Sequence, residues 1–441
     1  MKDLFVHVRL FLVLGGLICL FMTAYLLPGM LPLAYMALAV FFVAVGLDTF
    51  LLFQQKKAGL QALRVLPDRF SNGDMNPVHI HIKSYYRFPL LVEVIDEVPH
   101  QFQWRDMKKR VRIGAGGEAN MSYELRPVTR GEYEFGRLIL LARSPIGMII
   151  LRNRYELATN IAVYPSYLQM QKYQLLAVSN RLTELGVKPI RRLGHTTEFE
   201  QIKEYVRGDD YRTINWKATA RSSKLMVNQY MDERSQQIYC LIDKSRTMKM
   251  PFEGMSLLDY AINASLVLAN IAMYKHDRSG LVTFANGIDH FLPASNQPRH
   301  MRNFQELLYR QETDFQESDY ERLYAHISRR ISHRSLLVLF TNFESQSAMR
   351  RQLPFLQRIA KQHLLIVVLF ENTELKELLS TQPANTEEIY IKAVGEQFAL
   401  DKKLIVKELA QYGIQSILTP PQNLTVNTIN KYLEIKARAL I

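Results

Sequence analysis

The chain has 441 residues, with 55 lysines and arginines against 42 aspartates and glutamates and a formal net charge of +13. The hydrophobic fraction of 48% excludes a disordered protein, and the length is enough for several domains of about 100–200 residues each. The two cysteines, Cys19 and Cys240, lie in apolar runs, which excludes a disulfide framework and a cysteine-based zinc site.

Two uncharged apolar segments come first in the chain, residues 10–27 and 31–47. Each approaches the length of about 20 residues that a membrane-spanning helix needs, and the second continues past Asp48 through Phe53. A cleaved signal peptide is the alternative, and it is less favoured because no small-residue cleavage box separates the two segments. Residues 1–54 therefore predict a transmembrane hairpin.

Basic residues flank both ends of this hairpin, while its turn has none. Lys2 and Arg9 precede the first segment, and Lys56 and Lys57 follow the second. The positive-inside bias therefore predicts both termini and the large C-terminal region on the cytoplasmic side of the cell (inner) membrane. We expect Asp48, near the cytoplasmic end, to be an interfacial cap or a partner of these two lysines.

The net positive charge has two interpretations. A cytoplasmic region beside an anionic lipid bilayer gains from positive charge, which is the interpretation we favour. Nucleic-acid binding is the rival, but the sequence contains no zinc finger, RNP-like motif or basic-aromatic module. We therefore expect a lipid bilayer as a partner and no nucleic acid.

Between residues 65 and 165 the apolar pattern changes to a period of two, with turn residues between short runs. Short strands at this spacing predict a β-sandwich-like domain. His79 and His81 share one strand face; solvent exposure is favoured over a metal site because the sequence shows no third ligand.

Residues 166–236 form a connector with an unusual motif of basic, acidic and aromatic residues: Arg207, Asp209, Asp210, Arg212, Trp216 and Arg221. Gly208 permits a turn, and we expect one of the aspartates to cap a short helix. The arginines are expected to pair with the aspartates, and Trp216 to be buried on the other side. A clamp between domains is favoured over a docking surface for a partner or a nucleotide phosphate.

Residues 237–441 alternate strand-like and helix-like segments, which predicts a doubly wound α/β domain with helices on both faces. We expect strands at 238–242, 281–284, 288–292, 336–340 and 364–370, and helices near 257–271, 298–311, 318–333, 394–412 and 423–438. Ligands of such sheets bind at the carboxyl ends of the strands.

Oxygen-bearing side chains follow two of these strands. Asp243, Ser245 and Thr247 come directly after the first, and Asn342 follows the strand at 336–340. Ser318 precedes a predicted helix and offers a further hydroxyl. A carboxylate with hydroxyls suits a hard cation such as Mg²⁺ or Mn²⁺. A vestigial site that keeps the turn for folding is the alternative, and both hypotheses stay open.

The D-x-S-x-T pattern of Asp243, Ser245 and Thr247 resembles the metal-ion-dependent adhesion site of von Willebrand factor A domains. The whole arrangement resembles a bacterial membrane-anchored family of unknown function, domain of unknown function fifty-eight. That likeness rests on the two N-terminal spans and on the segments 130–133, 144–147 and 205–221. In this resemblance Ser318 matches the second-loop hydroxyl, and Asn342 stands where the pattern has an aspartate, which weakens a cation site.

The resemblance implies a non-enzymatic membrane-anchored adaptor or scaffold that binds a protein partner through the adhesion-type site. It also implies MoxR-type AAA+ ATPases as partners in the assembly or maturation of complexes. A phosphatase-like hydrolase with Asp243 as nucleophile is the alternative; it is less favoured because Ser245 stands where such enzymes have a second acid. A basic nucleic-acid-binding protein is a third hypothesis, which rests on charge alone.

Overall fold

The computed structural model describes residues 3–54, 59–104, 107–178, 198–206, 209, 211–222, 224–231, 235–313, 315–373, 375, 379 and 386–438. The chain divides into two compact units, Met1–Tyr164 and Pro165–Ile441.

Two apolar helices open the first unit, as predicted. Helix α1 is Val8–Leu26 and helix α2 is Leu31–Phe53, and a 3₁₀ turn at Pro28–Met30 joins them. Their mean hydropathies are 2.0 and 2.3, and both are long and apolar enough to span a membrane.

The rest of the first unit is rich in strands, which confirms the sheet-rich region. The strands are β1 Leu4–Val6, β2 Leu60–Val65, β3 Phe70–Ser71, β4 Asn76–Ser84, β5 Leu90–Asp96, β6 Lys108–Ile113, β7 Glu118–Leu125, β8 Gly131–Phe135, β9 Leu138–Arg143, β10 Ile149–Tyr155 and β11 Thr159–Tyr164. They form sheets ordered β1-β10-β9-β5-β6, β2-β4-β7 and β3-β11-β8. Alternate residues of β4 and β5 are buried in one shared core, and His79 and His81 are exposed, as expected.

A buried ion pair lies within this core. The Arg64 guanidinium pairs with the Asp96 carboxylate, and the two side chains are 2% and 0% exposed. Arg64 also donates to the carbonyl oxygens of Leu157 (2.9 Å) and Gly136 (3.1 Å), and the Tyr123 hydroxyl donates to Asp96 (2.5 Å). Burial and the Asp96 charge raise the pKa of Tyr123, so the tyrosine remains a donor.

Asp48 joins α2 to the sheets of the same unit. Its carboxylate is fully buried and accepts hydrogen bonds from the Ser144 hydroxyl and from the backbone N–H groups of Met148 (2.8 Å) and Ile149 (3.0 Å). The expected lysine partners, at positions 56 and 57, lie outside the described residues. The acid in the second apolar helix therefore fastens that helix to the turn between β9 and β10.

The second unit is built on one mixed sheet. Its strands are β14 Gln237–Asp243, β17 Arg278–Phe284, β18 Ile288–Ser295, β19 Leu336–Phe340, β20 Leu364–Phe370 and β21 Gln415–Thr419, with a small hairpin of β15 Pro251–Phe252 and β16 Met255–Ser256. The order is β18-β17-β14-β19-β20-β21, and every pair is parallel except the edge pair β17 and β18. Strand β21 was not predicted.

Helices cover both faces of this sheet, as expected for mixed α/β content. They are α5 Leu257–Tyr274, α6 Pro298–Tyr309, α7 Tyr320–Arg330, α8 Gln346–Gln362, α9 Thr386–Gln411 and α10 Leu424–Ala437. Ile238 and Cys240 of β14 pack with α5, α6 and α10, whereas Tyr239 and Leu241 pack with α7, α8 and α9. The two faces thus have separate cores, because alternate strand residues point in opposite directions.

Helix α5 is unusually apolar for a helix inside a folded domain. Its 18 residues have a mean hydropathy of 1.3, and 78% of them are buried. A capping box of Ser256 and Asp259 fixes its first turn.

The described part of the connector contains helices and a two-stranded ribbon. Helix α3, Tyr167–Val178, packs against α5 through Met170 and Tyr173. Strands β12, Glu198–Glu204, and β13, Met226–Met231, form an antiparallel ribbon, and the short helix α4, Trp216–Ser222, lies in the connection between them.

Candidate functional site

The structure places the predicted oxygen ligands at the carboxyl end of the sheet. Asp243 is the last residue of β14, and Asn342 follows the neighbouring strand β19. Ser318 lies just before α7, whose first turn is capped by Asp319. Parallel neighbouring strands end at the same edge, so these residues share one cleft with Ser245 and Thr247.

The Asp243 carboxylate is the centre of the cleft. It is 2% exposed, and its Oδ1 accepts hydrogen bonds from the Ser245 N–H (2.8 Å) and the Ser318 hydroxyl. Its Oδ2 accepts from the Thr341 hydroxyl (2.6 Å) and the Tyr320 hydroxyl (3.3 Å). Burial, followed by the Asp243 charge, raises the pKa of Tyr320, which keeps this phenol protonated.

The turn after β14 aims two more hydroxyls into the cleft. The hydroxyls of Ser245 and Thr247 are 3.0 Å apart, and the turn continues into a 3₁₀ helix at Arg246–Lys249. The cleft has a volume of about 80 Å³, which is enough for a small ion with some water, since one water needs at least roughly 10–15 Å³.

Asn342 has a different partner from the other predicted ligands. Its amide oxygen accepts a hydrogen bond from the Lys402 ammonium on α9, and its amide nitrogen faces the Thr247 carbonyl oxygen at 3.5 Å. Lys402 also donates to the Phe343 carbonyl oxygen (2.6 Å). The Lys402 ammonium therefore binds the amide oxygen that the sequence predicts as a metal ligand.

Burial of the Lys402 ammonium lowers the pKa of this lysine to about 8, because the charged form loses its hydration. Between this value and the ordinary lysine pKa near 10.5, the unfolded chain binds more protons than the folded chain, so raising the pH favours folding. We expect the wild type to gain stability from pH 8 to 10 relative to Lys402→Met, measured by urea unfolding at each pH. Identical pH profiles for the two proteins would contradict this assignment.

Charged side chains surround the mouth of the cleft. Arg246 lies 3.6 Å from Glu317 and 3.9 Å from Glu344, and Arg351 lies 3.8 Å from Glu317. All four side chains are more than half exposed, so these pairs contribute little stability and their charges remain accessible to a ligand.

The donor set decides which cations the cleft fits. Among the described residues, no group of three His, Cys, Asp or Glu side chains is arranged to bind a metal. Asp243, Ser245, Thr247 and Ser318 instead offer one carboxylate and three hydroxyls, which suit Mg²⁺ or Mn²⁺ with retained waters. Asn342 does not fit, because the Lys402 ammonium at its amide oxygen would repel a second cation there.

The connector motif differs from its prediction. Trp216 is 71% exposed, so the expectation that it is buried is wrong; it opens a short helix that lies beside a narrow ribbon. The residue that caps this helix is Asn215, whose side chain accepts from the Ala218 N–H (3.0 Å). Asp209 instead accepts from the Val206 N–H (2.9 Å), within its own turn.

The predicted pairing of arginines with aspartates is only partly visible. Arg207, Asp210 and the side chain of Arg212 lie outside the described residues. Arg221 is exposed and forms no ion pair with any described residue. Asp209 pairs with Lys203 at 3.0 Å.

Three residues that contact the predicted site residues were not among them: Thr341, Tyr320 and Lys402. Tyr320 was hidden because its position at the start of α7 also suits a core residue. Lys402 could not be predicted, because it lies 60 residues from Asn342 in the sequence. It is on a helix, and the strand ends do not show which residues of that helix face the site.

Comparison with known proteins supports one family for part of this chain. Residues 201–396 match the family model described as "Protein of unknown function DUF58". The comparisons support the DUF58 family of unknown function for this region. The uncharacterized protein YeaD of Bacillus subtilis is 31% identical over 181 residues, which are 39% of this chain and 44% of YeaD. The chain thus spans less than half the length of this relative.

Two solved structures show weak likeness to this chain. The conserved hypothetical protein BatB from Bacteroides thetaiotaomicron is 12% identical, with 46% of this chain and 99% of BatB covered and a TM-score of 0.29. The CARDB domain of PF1109 from Pyrococcus furiosus is 13% identical, with 24% and 94% covered and a TM-score of 0.16. These scores are too low to support an argument about the fold.

Proposed function

We propose that this chain is a membrane-anchored, non-enzymatic adaptor whose second unit is von Willebrand factor A-like and binds a protein partner. One observation carries the proposal: a buried carboxylate and three hydroxyls converge at the carboxyl end of β14, beside the end of β19. The helices α1 and α2 anchor it, with both termini and the second unit on the cytoplasmic side by the positive-inside bias.

Asp243, Ser245, Thr247 and Ser318 would hold Mg²⁺ or Mn²⁺, and the bound cation would supply positive charge for a carboxylate of the partner. Because the site has a single carboxylate, its own affinity for the cation is weak, and a partner's carboxylate would strengthen it. Arg246 and Arg351 at the mouth add donors that match further acidic groups of the partner.

The same geometry argues against Asp243 as a nucleophile. Each oxygen of its carboxylate accepts two hydrogen bonds, which stabilises the anion and lowers its reactivity. Ser245, two residues on, offers no second acid, so the phosphatase-like alternative is disfavoured.

The cation site is tested by titrating Mg²⁺ and Mn²⁺ into the full chain in detergent and measuring the heat of binding. We expect weak, saturable binding that Ser318→Ala and Asp243→Asn each reduce at least about tenfold, since each change removes a ligand of a site with few anions. Asp289→Asn is the matched control, because this carboxylate pairs with Lys244 outside the cleft. Equal binding by all variants would overturn the site.

The partner is tested separately. The family resemblance suggests MoxR-type AAA+ ATPases, so we propose affinity capture with the full chain from solubilised membranes, with magnesium or with EDTA. We expect ATPase recovery with magnesium that Ser318→Ala reduces. Equal recovery with EDTA would contradict cation-mediated docking, and absence of any ATPase would contradict this partner class.

A further inference from the structure

The short helix α4 has one packed side and one exposed side. Thr219, on the packed side, accepts a hydrogen bond through its hydroxyl from the Met226 N–H of β13 (3.0 Å). Trp216, Lys217, Ala220 and Arg221 are exposed. Residues four apart share a helix face, so Lys217 and Arg221 form one exposed stripe and Trp216 begins the adjacent one.

Further apolar side chains are exposed in the same connection between β12 and β13. Val206 is 64% exposed, Tyr211 70%, and Trp216 71%. The Tyr205 N–H donates to the Leu225 carbonyl oxygen (2.8 Å), so the ribbon's pairing extends to both ends of this connection. All these side chains therefore belong to the tip of one ribbon, which we call the aromatic tip: Val206, Tyr211, Trp216, Lys217, Arg221 and Leu225.

The aromatic tip has two charged side chains, Lys217 and Arg221, and both are basic and exposed. Lys224 pairs with Glu204, and Lys203 pairs with Asp209. Lys217 and Arg221, by contrast, form no ion pair with any described residue. Exposed Trp and Tyr beside Lys and Arg is the composition that proteins use at the interface between water and an anionic membrane.

We propose that the aromatic tip docks onto the surface of an anionic lipid bilayer. Trp216 and Tyr211 would enter the headgroup region, and Lys217 and Arg221 would contact lipid phosphates. The aromatic tip alone would bind a membrane weakly, since each basic residue near an anionic surface contributes about 1 kcal/mol to the free energy of binding. The chain's own apolar helices, however, tether it to a bilayer and so raise the local concentration of lipid.

A protein partner is the competing occupant, and the charge pattern favours lipid. A protein interface of this kind buries its aromatic residues in a pocket of defined shape. The aromatic tip instead leaves Tyr211 and Trp216 exposed, and the basic Lys217 and Arg221 lie on the same short helix as Trp216. This proposal does not depend on the cation site at Asp243.

The two tryptophans of the chain make the test direct. In the full chain carrying Trp104→Phe, all tryptophan emission comes from Trp216. We would reconstitute this protein into phosphatidylcholine vesicles with or without phosphatidylglycerol, and use brominated lipids as quenchers from the membrane and acrylamide as the quencher from water. We expect brominated lipids to reduce the emission, and acrylamide to quench less, only when phosphatidylglycerol is present.

The basic stripe is tested in the same background. Lys217→Gln with Arg221→Gln is expected to abolish quenching by brominated lipid, and raised salt is expected to weaken it. Lys403→Gln with Lys407→Gln is the matched control, since these exposed lysines are also four residues apart on a helix. Acrylamide quenching that is strong and independent of lipid charge would overturn the proposal and leave a protein as the occupant.

Discussion

Replacing Asp48 with alanine is expected to destabilise the first unit by about 3 kcal/mol or more, because two buried donors and one half-buried donor lose their acceptor and each unsatisfied buried donor costs about 1–3 kcal/mol. Asp48→Asn keeps one acceptor oxygen and should lose less. The measurement is thermal or urea unfolding of the full chain in detergent, followed by the emission of Trp104 in a Trp216→Phe background.

The control for this change is Thr49→Ala, on the same helix. The Thr49 hydroxyl donates only locally, to the Val45 carbonyl oxygen (2.7 Å), so its loss should leave the unfolding midpoint nearly unchanged. Asp48→Ala should also expose the turn between β9 and β10 to proteases. Equal effects of the two substitutions would show that Asp48 does not hold α2 to the sheets.

Asp96→Ala is expected to destabilise the first unit by about 3–5 kcal/mol, because it leaves the Arg64 guanidinium buried without its counter-charge. Arg64→Met combined with Asp96→Leu should recover much of this loss, since well-packed apolar residues often replace a buried ion pair at little cost. Trp104 packs edge-to-face on Tyr123, a partner of Asp96, so its emission reports the change directly.

An exposed ion pair provides the contrast. Lys83 and Glu118 lie 2.7 Å apart, but their side chains are 47% and 62% exposed. Glu118→Ala should therefore leave the unfolding midpoint unchanged within error. A double variant of Arg64 and Asp96 that is no more stable than Asp96→Ala would contradict the role of unpaired charge.

Much of the fold follows from periodicity. The apolar helices, the sheet-rich region and the alternation after β14 are visible because long apolar runs and regular spacing determine burial. Strand β21 was not predicted because Gln415 and Ser416 interrupt its apolar run. It forms a strand because its backbone pairs with the edge of β20. Tertiary pairing here outweighs weak local preference.

The candidate site was predictable only where it follows strand ends. Asp243 ends β14 and Asn342 lies two residues beyond the adjacent parallel strand β19, so their convergence follows from topology. The contact of Lys402 with Asn342 depends on how α9 packs against the sheet, and the spacing of residues in the sequence does not predict that packing. The exposure of Trp216 was missed for a related reason: tryptophan is usually well buried, and only the ribbon's narrowness leaves it in water.

The apolar character of helix α5 affects how this protein must fold during its synthesis. It is the third segment, among the described residues, that is apolar and long enough to cross a bilayer, yet it belongs in the middle of the second unit. In the proposed membrane-anchored arrangement, the ribosome would deliver α1 and α2 to the membrane first and would then present α5 to the same insertion machinery. Correct folding would then require that α5 packs against β14 and its neighbours before it can insert into the bilayer. Variants that slow this packing should accumulate as a misfolded form in which α5 is inserted as a third membrane-spanning helix.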